Sequence, residues 1–121
     1  MNRLYEQYRG KVAFLAVYIT EAHSSNGWQM QSNIRDNIVF ASPRNVEERA
    51  SVAGTCVREL GIKFPAVVDE FGNSTETHYT AWPDRIYLID QQGRVAYKSK
   101  AGPFGFRADD LATALSRLIK A

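Results

Sequence analysis

The sequence predicts one α/β domain in which a mixed sheet is covered by helices. Three observations carry this reading. Two strand-like apolar runs, residues 12–20 and 64–69, are separated by a segment of helical period; residues 85–99 have the form of a β-hairpin; and the chain closes on a helix with one apolar face. At 121 residues with 45% hydrophobic content, the chain is long enough to bury a core without staples, and residues 1–121 are read as a single domain.

Taken in order, Leu4, Tyr5 and Tyr8 before Gly10 read as the last turns of a helix that the glycine stops. Residues 12–20 are almost all apolar and rich in β-branched and aromatic side chains, the pattern of a strand buried on both faces. A polar loop follows, with a short extended segment expected at 37–41. Ser42-Pro43 then opens a helix, Ser as cap and Pro in the first turn, and Val46, Ala50, Ala53, Val57 and Leu60 repeat along it until Gly61. Residues 64–69 form a second short buried strand. Asn73-Ser-Thr-Glu76 is a capping-box pattern for a short helix running to about Ala81. The hairpin strands are 85–90 and 94–99, joined at Gln91-Gln92-Gly93, and the last helix carries Leu111, Ala114, Leu115 and Leu118 on one face.

Separated early strands joined by helices require parallel crossovers, and the late hairpin adds an antiparallel edge. This order is the plan of a thioredoxin-like fold. A proline just before the first hairpin strand, in Ala81-Trp82-Pro83-Asp84-Arg85, stands where such folds place a cis-proline beside their active site, although it also fits an ordinary trans proline ending a helix.

Composition excludes several function classes. Fifteen Lys and Arg against thirteen Asp and Glu give a net charge of +2, with the basic residues interspersed among acids, so nucleic acid is not an expected partner. The longest apolar run, of about eight residues, is far below the ~20 that a membrane helix needs, and no signal-peptide pattern precedes it. A cytoplasmic protein without a membrane partner is expected. Cys56 is the single cysteine; with only His23 and His78 beside it, neither an internal disulfide nor a metal site is expected.

The stretch Tyr18-Ile-Thr-Glu21-Ala-His23-Ser-Ser-Asn-Gly27-Trp28 sets an acid and an imidazole where a buried strand meets a loop. Side chains alternate along a strand, so Glu21 and His23 point the same way if the extended geometry persists, and the carboxylate can then orient and charge the ring. Such a pair binds an anion or relays a proton. The plainer reading, a surface acid and a solvated histidine, stays open on spacing alone. Cys56 falls near the C-terminal end of its helix, where the dipole disfavours a thiolate, and is read as a packing residue at the edge of the apolar face. His78 is read as solvated or locally bonded. Trp28, Trp82, Phe104 and Phe106 either line an aromatic-binding cleft or serve as core and lid packing.

Four collinear fragments carry a resemblance: Val17-Tyr-Ile-Thr-Glu-Ala-His23 with Gly27-Trp28; Phe64-Pro-Ala-Val-Val-Asp69; Ala81-Trp-Pro-Asp-Arg-Ile-Tyr87; and Val95-Ala-Tyr-Lys98 with Gly102-Pro-Phe-Gly105. In order and interval they resemble the iodothyronine deiodinase family and its bacterial relatives, over about residues 4–118. The resemblance implies a thioredoxin-like reductive dehalogenase in which a selenocysteine, or a cysteine, takes up iodine from an iodinated phenol. It needs no resident cofactor, only an external thiol reductant. Carried across, Tyr18, Glu21 and His23 fall on the proton-handling and substrate-binding positions and Arg85 on the substrate-holding arginine. Trp28, Pro83 and Phe104 join them as substrate contacts to a small aromatic or halogenated phenol.

Three departures stand out. The family's nucleophile strand precedes the helix at the start of this sequence, so the first strand and its Cys or selenocysteine motif are expected to be missing and the domain N-terminally truncated, as when an upstream UGA is read as a stop. Pro43 stands near a position where vertebrate enzymes carry a second histidine, and Asn26 replaces the aspartate of the Asp-Gly-Trp run. In a thioredoxin-like sheet the missing strand would lie between 12–20 and 85–90. Direct pairing, a homodimer or an upstream segment would then have to complete it. Three function classes remain: a deiodinase-like redox domain, inactive as it stands; a noncatalytic small-molecule-binding or interaction domain; and a thiol redox protein acting through Cys56.

Overall fold

Helix α1 (Asn2–Tyr8) joins the two halves of the molecule in the computed structural model, which describes residues 1–20, 43–102 and 104–120. The expected segment 37–41 and the Ser42 cap lie outside the described residues. Leu4 and Tyr8, one helical turn apart, present one face to Ile86, Leu88, Leu111 and Leu115, and together these six side chains form the buried core cluster. Tyr5 turns the other way, to Phe14 and Phe64, with ring centroids 5.6–5.7 Å apart around the triad. Asn2 fastens the start of α1: its amide donates to the Gly61 carbonyl at 2.7 Å and its side-chain oxygen accepts from Lys63 N at 3.1 Å.

Strand β1 (Ala16–Tyr18) pairs in parallel with β2 (Ala66–Val68), in the register Ala16 to Ala66, Val17 to Val67 and Tyr18 to Val68. Strand β3 (Tyr87–Ile89) pairs antiparallel with β4 (Val95–Lys98), with an irregularity between Leu88 and Ile89. The hairpin turns at Gly93, whose φ of 79° suits glycine. Ser99 extends the pairing by donating from its N–H to the Ile86 carbonyl and accepting from Ile86 N at its hydroxyl. Parallel and antiparallel pairs are both present as expected, in a mixed α/β arrangement consistent with a thioredoxin-like domain. They are two separate two-stranded sheets, however, and not one continuous mixed sheet. Among the described residues, β1 and β3 each have one edge without a strand partner.

This separation corrects the burial expected of the early strands. Each is three residues long, and Leu15 (59% exposed), Val17 (37%) and Val67 (47%) are open on one face rather than packed on both. The apolar runs were long enough for doubly covered strands, but among the described residues only one face of this small sheet has a partner layer.

Helix α2 (Val46–Leu60) starts later than Ser42-Pro43 suggests. Asn45 is its cap, accepting from Glu48 N, and Gly61 ends it in the left-handed region as expected. Its buried face also differs: Val46, Ala50 and Leu60 are exposed, while Arg49 and Ala53 are buried and Cys56 is half-buried. Helix α3 (Ser74–Tyr79) is shorter than the capping-box reading and is capped differently. Asn73 makes no side-chain cap, and the carboxylate of Asp69 takes the N–H groups of Thr75 and Glu76 instead. Helix α4 (Ala108–Lys120) buries Leu111 and Leu115, with Ala114 and Leu118 half-buried beside them.

Candidate functional site

The polar groups that could do chemistry gather at two places joined by α3. The first is the C-terminal end of β1 and β2, where open α/β sheets place their sites. Thr20 donates its hydroxyl proton to the side-chain oxygen of Asn73 at 2.6 Å. Arg49, 4% exposed, reaches the same point from α2. Its Nη1 donates to the carbonyl oxygens of Glu70 (2.9 Å) and Asp69 (3.4 Å), its Nη2 to the Thr20 hydroxyl (3.4 Å), and its guanidinium lies 5.0 Å from the Phe71 ring centroid. Neutral oxygens and an aromatic face thus surround a buried cation. The Tyr18 hydroxyl on β1 is buried and unpartnered, a group with a proton to give or share.

Asp69 anchors this end. Burial works to raise its pKa, but the N–H groups of Glu76 and Thr75, with help from the Thr75 hydroxyl and Glu70 N–H, outweigh that and hold the carboxyl below its usual range. The fixed carboxylate sets the start of α3, and both flanks of that helix, Asn73 (φ 62°) and Thr80 (φ 47°), adopt left-handed backbone rare outside glycine.

The second place is the entry to β3. The Trp82–Pro83 bond is cis, as expected of a proline at this point in a thioredoxin-like order. Arg85 donates from Nη1 to the Thr80 hydroxyl at 2.8 Å, while its Nε is buried without a partner. Thr80 passes its own proton to the Tyr79 carbonyl at 2.7 Å, and the Tyr87 hydroxyl donates to that same carbonyl. The Tyr79 and Tyr87 rings meet edge to face at 5.0 Å, with the Lys98 ammonium 5.7 Å from the Tyr87 centroid. Burial opposes ionisation of Tyr87, but the neighbouring polar and cationic side chains of Thr80, Arg85 and Lys98 favour the phenolate, outweigh burial and lower the phenol pKa.

The loop after β4 is locked onto this turn. Gly102 N donates to the Asp84 carbonyl at 2.8 Å, and a Cβ at Gly102 would fall 1.4 Å from an Asp84 carboxylate oxygen, so any side chain there requires the Asp84 carboxylate to turn away.

Of the site residues expected from sequence, Pro83 and Arg85 lie together in one turn, and Tyr18 is at the predicted strand end. Glu21, His23 and Trp28 lie outside the described residues, as does their expected convergence with Tyr18 or Arg85. Phe104 is almost fully exposed and lines a separate cleft beside β4 and α4. Trp82 and Phe106 are also exposed. Half-buried Cys56 lies in the second half of α2, and exposed His78 is within 3.4 Å of the Ser74 hydroxyl, a local contact of the kind expected. Sequence reading missed Arg49, Asp69, Asn73, Thr80 and Tyr87. The one available signal was an arginine four residues before Ala53, inside the apolar stripe of α2.

A sequence model of the iodothyronine deiodinase family matches residues 1–119. Over 96% of its length the chain is 28% identical to the type I iodothyronine deiodinase of Xenopus laevis, 36% to the thyroxine 5-deiodinase of Rattus norvegicus and 35% to that of Homo sapiens. It spans 44%, 36% and 36% of those relatives, less than half of each. With a match running through both strand ends, the cis-proline turn and the Gly102 loop, the chain belongs to the iodothyronine deiodinase family.

Proposed function

We propose that this chain is the acid–base and substrate-holding part of a deiodinase-like reductive dehalogenase acting on an iodinated phenol. The observation that carries the reading is the coincidence of the family match with two buried, unpartnered polar groups, Tyr18 OH and Arg85 Nε, at positions where the resemblance puts proton handling and substrate binding. Arg85 Nε offers an N–H to an oxygen of the substrate. Tyr18 with Glu21 and His23 supplies the ring proton, and Trp28 and Pro83 frame the ring.

In this reading a thiolate or selenolate attacks iodine, a chalcogen–iodine bond forms as the carbon–iodine bond breaks, and the ring carbon takes a proton from the Tyr18–Glu21–His23 group. An external thiol then displaces iodide from the chalcogen and is oxidised with it to a disulfide or selenyl sulfide. Cys56, the sole thiol of residues 1–121, stands on the second half of a helix rather than at an N-terminus and is a poor nucleophile. The nucleophile belongs instead on a strand that would pair the edges of β1 and β3 that have no strand partner among the described residues, completing a thioredoxin-like sheet. Acid–base groups contribute about 10²–10⁴-fold, and nothing in them replaces the chalcogen.

The test is thiol-dependent iodide release from an iodinated phenol. The 121-residue chain should release none. The same chain preceded by a strand bearing Cys or selenocysteine should turn over, and Arg85→Ala in that protein should raise KM. Turnover by the 121-residue chain that Cys56→Ser abolishes would transfer the nucleophile to Cys56; turnover that survives Cys56→Ser would end the chalcogen reading.

A further inference from the structure

Thr80 closes α3 in a conformation that its side chain resists. With φ 47° and ψ 48° it lies in the left-handed region, where a β-branched residue is an outlier and glycine is the usual occupant at a helix end. The turn itself is an ordinary helix stop: Thr80 N donates to the Thr77 carbonyl at 3.3 Å and Ala81 N to the Glu76 carbonyl at 3.0 Å, leading the chain out of α3 toward Arg85. Helix α2 makes the same kind of stop with Gly61, at φ 64° and ψ 36°. The backbone at position 80 therefore asks for nothing that glycine lacks. What threonine adds there is a hydroxyl, and the strain points to a use for it.

The hydroxyl has two partners and a fixed direction. Arginine carries donors only, so Arg85 Nη1 donates to the Thr80 oxygen at 2.8 Å, and the Thr80 proton goes to the Tyr79 carbonyl at 2.7 Å. That carbonyl also accepts from the Tyr87 hydroxyl, and the Tyr87 ring meets Tyr79 edge to face at 5.0 Å, so the acceptor is itself held from β3. The guanidinium is planar and rigid, and fixing Nη1 aims the buried Nε–H, which has no partner, as well. A long side chain that would lose rotamer freedom on meeting a ligand is thus ordered beforehand.

We propose that Thr80 is a positioning residue, whose hydroxyl holds Arg85 so that its Nε–H is already aimed when substrate arrives. The left-handed threonine is strained for the sake of that hold. Its effect on the reaction rests on the substrate contact assigned to Arg85; the hold itself is measurable in a chain without turnover.

The direct measurement is the exchange of the Arg85 Nε–H with water, followed by proton–nitrogen NMR in the 121-residue chain, with exposed Arg94 as the internal reference. In the wild type Arg85 should exchange at least about tenfold more slowly than Arg94. Thr80→Gly, which suits the left-handed backbone, and Thr80→Val, which keeps the branched shape, both lack the hydroxyl and should each speed Arg85 exchange by about tenfold. Thr80→Ser should restore the slow rate. Exchange unmoved by Thr80→Val overturns the proposal, since shape and not the hydroxyl would then be the hold; so does Thr80→Ser behaving like Thr80→Gly. In the chain preceded by a nucleophile-bearing strand, Thr80→Val should raise KM more than it lowers kcat, and should add nothing to Arg85→Ala. A fast-exchanging Arg85 with KM unchanged would refute the substrate contact of Arg85, and with it the part of Thr80 in the reaction, while leaving the hold in place.

Discussion

Replacing Asp69 with Asn tests how the two halves of the site are joined. The side chain is 3% exposed, and its two oxygens accept from Thr75 N at 3.0 Å and Glu76 N at 2.9 Å. Asparagine keeps the shape but has one acceptor oxygen, so an amide N–H would face a backbone N–H. Hydrogen bonds to a charged partner are each worth about 1.5–3 kcal/mol, and losing one while weakening the other should cost about 2–4 kcal/mol. At roughly 4 °C per kcal/mol for a domain of this size, the melting midpoint at pH 7 should fall by about 8–16 °C.

The pH dependence identifies the cause. The folded carboxyl titrates below the unfolded value of about 4, so its contribution is complete above that pH and is lost as pH falls through the folded pKa. The gap between the wild type and Asp69→Asn, measured by circular dichroism melts, should therefore be widest near neutrality and close in acid. An unchanged midpoint at pH 7, or a gap of equal size across the acid range, would refute the assignment of Asp69 as the charged cap of α3.

Other outcomes follow from the same contacts. Leu115→Ala empties the centre of the cluster, where the side chain is 1% exposed, and should cost about 2–5 kcal/mol in a denaturant titration. Arg49→Lys keeps the charge but cannot bridge Glu70, Asp69 and Thr20 at once; a loss of about 1–3 kcal/mol is expected, and equal stability would show that the bridge contributes nothing. Gly105→Ala sets a methyl 2.6 Å from backbone atoms of Ala101 and Lys100 that no rotamer change can move, so the loop must shift, and the Phe104 amide resonance should move well beyond the range of neighbour effects.

The elements that are local in origin were legible from sequence. A helix stop at Gly61, a hairpin turn at Gly93 and the apolar stripe of α4 depend on backbone sterics and a period of 3.6, and each is where the pattern puts it. The family was legible as well, because its motifs around Tyr18, Pro83, Arg85 and Gly102 are contiguous strings of residues. Tertiary structure decided what those strings face. An apolar run such as 12–20 records that a strand can be buried on both sides, but not whether a second layer is there to cover it, and Leu15 and Val17 are open. Asn73-x-x-Glu76 has the letters of a capping box, yet a carboxylate from the end of β2 reaches α3 first and leaves Asn73 to Thr20. Arg49 reads as one more surface charge until β1, β2 and Phe71 close around it. Partner choice among hydrogen-bonding groups is settled by distance in space, and separation along the chain, 53 residues for Thr20 and Asn73, carries no trace of it.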